Sequence, residues 1–181
     1  ELIEMGIYGP VEDRQLEALG RIRMSGRHLL SVLENVMEMA RLAVGVVRFE
    51  VMDFDVGALV RDAMTIVQPT ADAKEQSLTV HSATDILVHA DAARLRQVVV
   101  NLLGNAIKYT PREGAIRIDV ATAERHGKRH ARIAIVDNGV GIPHDHIETI
   151  FEPYYRIAAT SSEPGVGLGL SISRELMRRM G

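Results

Sequence analysis

The 181-residue chain has 46% hydrophobic and 25% charged residues and a net charge of −3, the composition of a folded globular protein rather than a disordered or fibrous one. This near-neutral balance lacks the basic excess of a nucleic-acid surface, and the absence of cysteine excludes disulfides, thiolate catalysis and cysteine-ligated zinc. No stretch predicts a membrane-spanning helix, and we expect a cytoplasmic protein.

The first predicted element is a short helical remnant that reaches about residue 7. After a turn marked by Gly6, Gly9 and Pro10, a long helix is predicted over residues 11–43. Apolar residues recur in it at alternating spacings of three and four, the pattern of a coiled coil or helical bundle. They are Leu19, Ile22, Gly26, Leu29, Leu33, Val36, Ala40 and Ala43. We therefore expect this helix to pack against a partner helix, and we expect a domain junction at residues 43–45.

The rest of the chain mixes helices and strands without a regular βαβ alternation. The predicted strands cover residues 47–51, 78–81, 87–89, 114–122 and 129–136, and the last two alternate as a pair. Asp55 is the predicted N-cap of a helix that reaches residue 74, and Asp91 caps the next helix. This order favours an α+β fold with helices on one face of a mainly antiparallel sheet.

The helix after Asp91 carries an unusual polar stripe. At about 100° per residue, Asn101, Asn105 and Lys108 fall on one narrow seam, which Arg94 and Gln97 extend, and most other positions are apolar. We expect a buried helix whose seam faces a cleft. Two interpretations remain open: a magnesium and phosphate site, or asparagines that bond to neighbouring backbone.

A carboxylate follows the last predicted strand, in the segment Asp137-Asn-Gly-Val-Gly-Ile142. The Asp137 carboxylate would accept a hydrogen bond from the exocyclic amine of adenine, with Ile142 against the face of the base. Asp-Asn-Gly is also a common turn, so a purely structural role is the alternative.

A second glycine cluster, at residues 165–170, opens the last predicted helix, where backbone N–H groups would hold phosphate oxygens. Its spacing matches neither the dinucleotide fingerprint nor the P-loop. The proline-containing stretch between the clusters predicts a lid. Phe151, Tyr154 and Tyr155 would anchor this lid, while Arg156 would reach a terminal phosphate or remain a solvated charge.

In this order, the four elements resemble the catalytic ATP-binding domain of sensor histidine kinases, a branch of the Bergerat-fold ATPases that includes DNA gyrase. Residues 101–109 look like the N box, 137–142 the G1 box, 151–156 the F box and 165–170 the G2 box. Residues 1–45 resemble part of the dimerisation and histidine-phosphotransfer hairpin, with its first helix truncated.

The resemblance implies a helical-hairpin stem at residues 1–45 and a two-layer α/β sandwich at residues 46–181, with a lid at about 138–166. It also implies ATP and Mg²⁺ as cofactors. Asn105 would coordinate Mg²⁺ with Asn101 in support, and Lys108 would contact the phosphates. The other implied nucleotide-binding residues are Tyr109, Asp137, Gly139, Gly141, Ile142, Tyr154, Gly165, Gly167, Leu168 and Gly169. Asn101, Lys108 and Arg156 would be the catalytic residues, with Arg156 at the γ-phosphate.

The implied function is the catalytic portion of a two-component sensor histidine kinase, which transfers the γ-phosphoryl group to a histidine for relay to a response-regulator aspartate. None of the seven histidines lies in a motif like His-Glu-Leu-Arg-Thr-Pro-Leu, so we expect the acceptor before residue 1 and further strands after residue 181. The implied partners are a cognate response regulator and a second copy through the stem. Nucleic acid is not an implied partner, and a membrane would be reached only through other parts of the protein.

Two other functions compete with the kinase. One is a nucleotide-binding pseudokinase that presents its stem to a regulator. The other is a Bergerat-fold ATP hydrolase, whose relatives place a glutamate where Asn101 stands. A neutral amide cannot accept the proton of an attacking water, which makes the hydrolase the least favoured of the three.

Overall fold

The computed structural model describes residues 2, 3, 5, 7, 9–82, 85–125, 127–157 and 166–180, without the side chain of His28. Residues 2, 3, 5 and 7 lie in turns rather than in the short helical remnant predicted there, and a single long helix follows, α1 (Asp13–Val44). Its start is closed by a capping box between Glu12 and Gln15, and it ends at Gly45, whose φ of 75° is left-handed. The helix predicted at residues 11–43 is therefore confirmed to within two residues.

The apolar seam of α1 lies mostly in solvent. Leu29 is 69% exposed, Ile22 67% and Leu33 57%, although each is large and hydrophobic. Such a continuous exposed stripe on one helix is what the predicted partner helix would cover.

The first and third strands of the chain form a small sheet of their own. Strand β1 (Val51–Asp55) pairs antiparallel with β3 (Leu87–Asp91). The strand predicted at residues 47–51 is thus wrong in position. Val47 and Phe49 do alternate inward, but they pack against a hydrophobic cluster around Leu42, and the pairing begins only at Val51.

Both predicted helix caps are present. Helix α2 (Val56–Asp72) begins after Asp55, whose carboxylate accepts from the N–H groups of Gly57 and Ala58, each at 3.0 Å. Helix α3 (Ala92–Tyr109) begins after Asp91. Side-chain acceptors of this kind satisfy helix N–H groups that have no intrahelical partner, so they fix where each helix starts.

The larger sheet contains β2 (Ser77–Ser82), β4 (Ala115–Arg125) and β5 (Lys128–Asp137) in the order β2-β4-β5. β2 and β4 run parallel, whereas β4 and β5 are antiparallel and place Asp137 opposite Ile116. Helices α2 and α3 share one buried core with this sheet. That core includes Val56, Val60, Ala63, Val99, Leu103, Ile107, Ile116 and Ile118. The predicted α+β fold, with a mixed sheet and a helical layer, is confirmed.

A second core joins the end of α1 to the rest of the molecule. Two short 3₁₀ turns, His144–His146 and Thr149–Phe151, follow β5, and the last helix is α4 (Gly169–Met180). Leu42 of α1, 1% exposed, is buried with Val98, Leu168, Ile172 and Leu176. The end of α1 is therefore packed against α3 and α4. No helix in the described part of the chain has the length and apolarity needed to cross a membrane.

Candidate functional site

A cleft of about 640 Å³ opens between α3, the end of β5, the 3₁₀ segment and the start of α4. This volume lies within the range of small-molecule sites. Its lining contains members of all four predicted motifs and one residue of the stem helix. They are Asn35, Asn101, Asn105, Lys108, Tyr109, Asp137, Gly139, Gly141, Ile142, Phe151, Tyr155, Arg156, Gly167, Leu168 and Gly169, among others. The structure thus brings together residues that are far apart in the sequence.

The two asparagines of α3 differ in what they contact. The side-chain amide of Asn101 donates to Oγ of Ser173 in α4 at 2.8 Å. Within the described residues, the Asn105 side chain has no hydrogen-bond partner, and it faces the cleft half-buried. One turn further on, Nζ of Lys108 lies 4.9 Å from the centroid of the Tyr109 ring, a cation–π contact. Asn105 and Lys108 thus line the cleft, and of the two asparagines only Asn101 is bound to α4.

The predicted seam does not face the cleft over its whole length. Arg94 and Gln97, at its N-terminal end, lie outside the lining of the cleft. Nη1 of Arg94 donates to Glu38 of α1 at 2.6 Å and to Gln97 at 3.0 Å. The prediction is wrong for these two residues because the stem helix covers that end of α3 and supplies the counter-charge.

The N-cap of α3 remains charged. Burial raises the pKa of Asp91, but its carboxylate accepts from the backbone N–H groups of Arg94 at 3.0 Å and Glu50 at 2.9 Å. These hydrogen bonds outweigh burial and hold the pKa of Asp91 below its usual value. The ionised cap ties β3 and the segment before β1 to the helix that carries the polar residues of the cleft.

Asp137 makes the predicted turn and also lines the cleft. Its Oδ1 accepts from the N–H of Gly139 at 2.9 Å, which shapes the turn. Its other carboxylate oxygen accepts no hydrogen bond from the described residues, and the residue lines the cleft. A Cβ at Gly139 would come within 2.6 Å of the Tyr109 carbonyl oxygen, so only glycine lets β5 end this close to α3.

The start of α4 also depends on glycine. A Cβ at Gly169 would lie 2.3 Å from Oδ1 of Asn101, and one at Gly167 would lie 2.6 Å from the carbonyl oxygen of Tyr155. Gly167 and Gly141 have φ of 77° and 70°, in the left-handed region. Leu168 lies between Gly167 and Gly169. Its side chain is 1% exposed in the second core, and this burial fixes the position of the chain there. Gly165 and residues 158–164 of the predicted lid lie outside the described residues.

The aromatic anchors of the 3₁₀ segment are mostly as predicted. The Arg174 guanidinium of α4 lies 5.5 Å from the centroid of the Phe151 ring. The Tyr155 hydroxyl and Nδ1 of His146 are hydrogen-bonded at 2.5 Å. Tyr154 is the exception: its φ is 65°, its side chain is 62% exposed, and it is not among the residues that line the cleft, so its predicted contact with a nucleotide has no support from the lining.

Two residues that sequence reasoning missed hold the end of α3. Nζ of Lys74 donates to the carbonyls of Ile107 and Lys108, both at 2.9 Å. Nε2 of Gln76 donates to the Thr110 carbonyl at 2.7 Å. Both come from the turn between α2 and β2, and no local signal in the sequence connects that turn to the end of α3. They orient the backbone that presents Lys108 to the cleft.

Comparison with curated proteins supports the resemblance to sensor kinases. Sensor protein GacS of Pseudomonas syringae pv. syringae is 34% identical over 174 residues, 93% of this chain and 19% of GacS. The autoinducer 2 sensor kinase/phosphatase LuxQ of Vibrio cholerae is 34% identical over 175 residues, 94% of this chain and 20% of LuxQ. The chain spans about one fifth of the length of these relatives.

Solved structures agree with this result. Full-length ShkA in complex with AMPPNP matches 98% of this chain and 36% of its own, with a TM-score of 0.80 and 28% identity. The catalytic domain of histidine kinase ThkA matches 72% of this chain and 80% of its own, with a TM-score of 0.62 and 27% identity. A family model described as the histidine kinase-, DNA gyrase B- and HSP90-like ATPase matches residues 90–181. Because that match contains the whole described lining of the cleft except Asn35, the chain belongs to the family of histidine kinase-, DNA gyrase B- and HSP90-like ATPases.

Proposed function

We propose that this chain is the ATP-binding catalytic portion of a two-component sensor histidine kinase. One observation carries the proposal: the four motifs line a single cleft in a chain that is 34% identical to sensor proteins such as GacS. In this proposal, residues 1–45 form the stem and residues 46–181 the catalytic domain. The left-handed residue Gly45, which ends α1, supports that boundary.

The residues of the cleft fit a magnesium nucleotide. Asn105 offers a side-chain amide oxygen without a partner among the described residues, and Mg²⁺ prefers oxygen ligands. Gly141 lines the cleft, and no heavy atom lies within 4 Å of the place that a Cβ would take there, so its backbone is open to a ligand. These features support ATP and Mg²⁺ as the cofactors.

Each polar group then has a role in binding. The free oxygen of Asp137 would accept from the adenine amine, with Ile142 against the base. Lys108 and Arg156 would donate to phosphate oxygens, where charge-assisted hydrogen bonds are strong. Asn105 would hold Mg²⁺, and a bound Mg²⁺ would neutralise part of the negative charge of the phosphates. Most of the catalysis would come from positioning and electrostatics, as is usual in phosphoryl transfer.

The structure argues against the hydrolase. The Asn101 side chain is committed to Ser173 through its amide nitrogen, and an amide does not accept a proton from water near neutral pH. No observation on the described residues favours the pseudokinase.

We further propose that a response regulator and a second copy of the chain are the partners, and that this portion is cytoplasmic. A chain in the structure of histidine kinase ThkA in complex with response regulator protein TrrA has the fold of this chain, with a TM-score of 0.71 at 21% identity. The exposed apolar seam of α1 supports a helical partner.

Nucleotide binding tests the pocket. Calorimetry with AMPPNP, with and without Mg²⁺, should show micromolar to millimolar affinity for the wild-type chain. Asp137→Asn should abolish binding, and Asn105→Ala should remove its dependence on Mg²⁺. Asp62→Asn, on the exposed surface of α2, is the matched control and should bind as the wild type does. Wild-type affinity in the Asp137→Asn variant would refute the assignment of the adenine site.

Phosphoryl transfer needs a second test, in a chain that carries both this portion and a phosphoacceptor histidine. ATP labelled at the γ-phosphate should give a protein-bound label that is labile in acid and stable in base. Asp137→Asn should remove that label. A label that survives acid would point to a hydroxyl acceptor and contradict the kinase assignment.

A further inference from the structure

The stem helix reaches the nucleotide cleft through one side chain. Asn35 of α1 is half-buried and lines the same cleft as Asn101 and Lys108. Among the described residues that line the cleft, it alone comes from α1. Its side-chain amide also has no hydrogen-bond partner in the described part of the chain.

The position of Asn35 is set by the contacts that follow it on the same face of the helix. Glu38 and Leu42 come three and seven residues later, so all three side chains project to one side of α1. Glu38 is ion-paired with Arg94 at 2.6 Å. The Leu42 side chain is buried in the second core, and its carbonyl accepts from Arg179 at 2.6 Å. These contacts dock the end of α1 and hold Asn35 over the cleft.

The docked helix lies close to residues that border the cleft. Leu42 shares its core with Leu102 and Leu168, which are adjacent in sequence to Asn101 and Gly169. Asn35 lies two helical turns, about 10 Å, from Leu42 along α1. Asn35 lines the same cleft as Asn101 and Gly169 at the start of α4, and the N–H groups of a helix start favour phosphate oxygens.

We propose that Asn35 is a further nucleotide-binding residue, whose side-chain amide donates a hydrogen bond to the terminal phosphate of a bound nucleoside triphosphate. The docked stem thereby raises the affinity of the cleft for ATP relative to ADP. This inference rests on the proposed function, and it makes the arrangement of α1 part of the nucleotide site.

The test compares two nucleotides on two variants. AMPPNP and ADP, each with Mg²⁺, are titrated by calorimetry into the wild-type chain, Asn35→Ala and Ser31→Ala. Ser31 lies one turn earlier in α1 and is exposed, so its variant controls for a change on the same helix. Asn35→Ala should weaken AMPPNP binding about tenfold, the effect of losing a hydrogen bond to a charged group, and leave ADP within about twofold.

The possible outcomes distinguish a failure of this inference from a failure of the proposed kinase function. Unchanged affinities in Asn35→Ala, or equal losses for AMPPNP and ADP, would refute the role of Asn35 and leave the proposed function standing. A wild-type chain that bound neither nucleotide would refute both. Misfolding does not confuse the result, because alanine favours the helix and circular dichroism reports its integrity.

Discussion

The side-chain amide of Asn101 donates a hydrogen bond to Oγ of Ser173 over 2.8 Å, and this bond joins α3 to α4 at one wall of the cleft. Gly169 lies against the oxygen of the same amide. Asn101 is therefore held in one orientation by α4, while Asn105 is left to a ligand. The two asparagines of one stripe therefore differ: the first is bound to α4, and the second has no hydrogen-bond partner among the described residues.

Ser173→Ala should destabilise the protein. Ser173 is 5% exposed, so its loss leaves the Asn101 amide without this partner. We expect the free energy of unfolding to fall by about 1–2 kcal/mol, the cost of a buried donor without an acceptor. Urea denaturation measures the change. Ser31→Ala, at an exposed site in α1, should leave stability within about 0.5 kcal/mol. Equal stability of the two variants would contradict the role of the bond.

Two glycine-to-alanine changes should have opposite signs. At Gly169 the new Cβ would meet Oδ1 of Asn101 at 2.3 Å, and the strain should cost about 1–3 kcal/mol. Gly104 is exposed in α3, and a methyl group added there would have no heavy atom within 4 Å, so alanine should add about 0.5–1 kcal/mol by helix propensity. Thermal unfolding of both variants is the measurement, and a stabilised Gly169→Ala would show that α4 is free to move from Asn101.

Glu38→Gln should loosen the stem. The side chains of Glu38 and Arg94 are only 11% and 26% exposed, so the change leaves a guanidinium largely buried with a weaker partner. Allowing for the remaining solvent contact, we expect a loss of about 1–2 kcal/mol. Hydrogen exchange at the end of α1 should also become faster. Glu34→Gln, exposed on the same helix, is the control, and similar exchange in both variants would rule out the ion pair as a clamp.

Glu175 should give a stability change in acid. Hydrogen bonds from Arg178 and then Arg179 lower its pKa from 4.5 to about 2. Because the folded pKa is depressed, the stabilisation is present above about pH 4.5 and is lost as the pH falls towards 2. The melting temperatures of the wild type and Glu175→Gln should therefore differ at pH 6 to 7 and converge at about pH 2 to 3. A difference that is constant over this range would contradict the assignment.

Local chemistry made much of the fold predictable. The carboxylates of Asp55 and Asp91 cap helices within three residues of themselves, so sequence alone locates both helix starts. Strand pairing, in contrast, depends on residues that are far apart in the sequence. Val47 and Phe49 alternate as a strand does, but they face the core around Leu42, and the sequence holds no sign that pairing begins at Val51.

The same limit applies to the site. The motifs predicted the lining residues of α3 and of the turn after β5 because each motif is contiguous in sequence. Tyr155 lines the cleft, whereas Tyr154, which was predicted to contact the nucleotide, does not. The sequence does not predict this difference, because the backbone at Tyr154 adopts a left-handed angle. The contributions of Asn35 and Lys74 come from elements far along the chain, and only the folded structure brings them to α3.

Lys74 has an electrostatic consequence for any ligand in the cleft. The carbonyl end of a helix carries about half a negative charge, and α3 ends beside the residues that would hold phosphates. The Lys74 ammonium lies on two of these carbonyls, those of Ile107 and Lys108. The Lys74 ammonium therefore compensates the negative charge at the C-terminal end of α3. An anionic ligand near Lys108 would thus be repelled less by these carbonyl oxygens than it would be without Lys74.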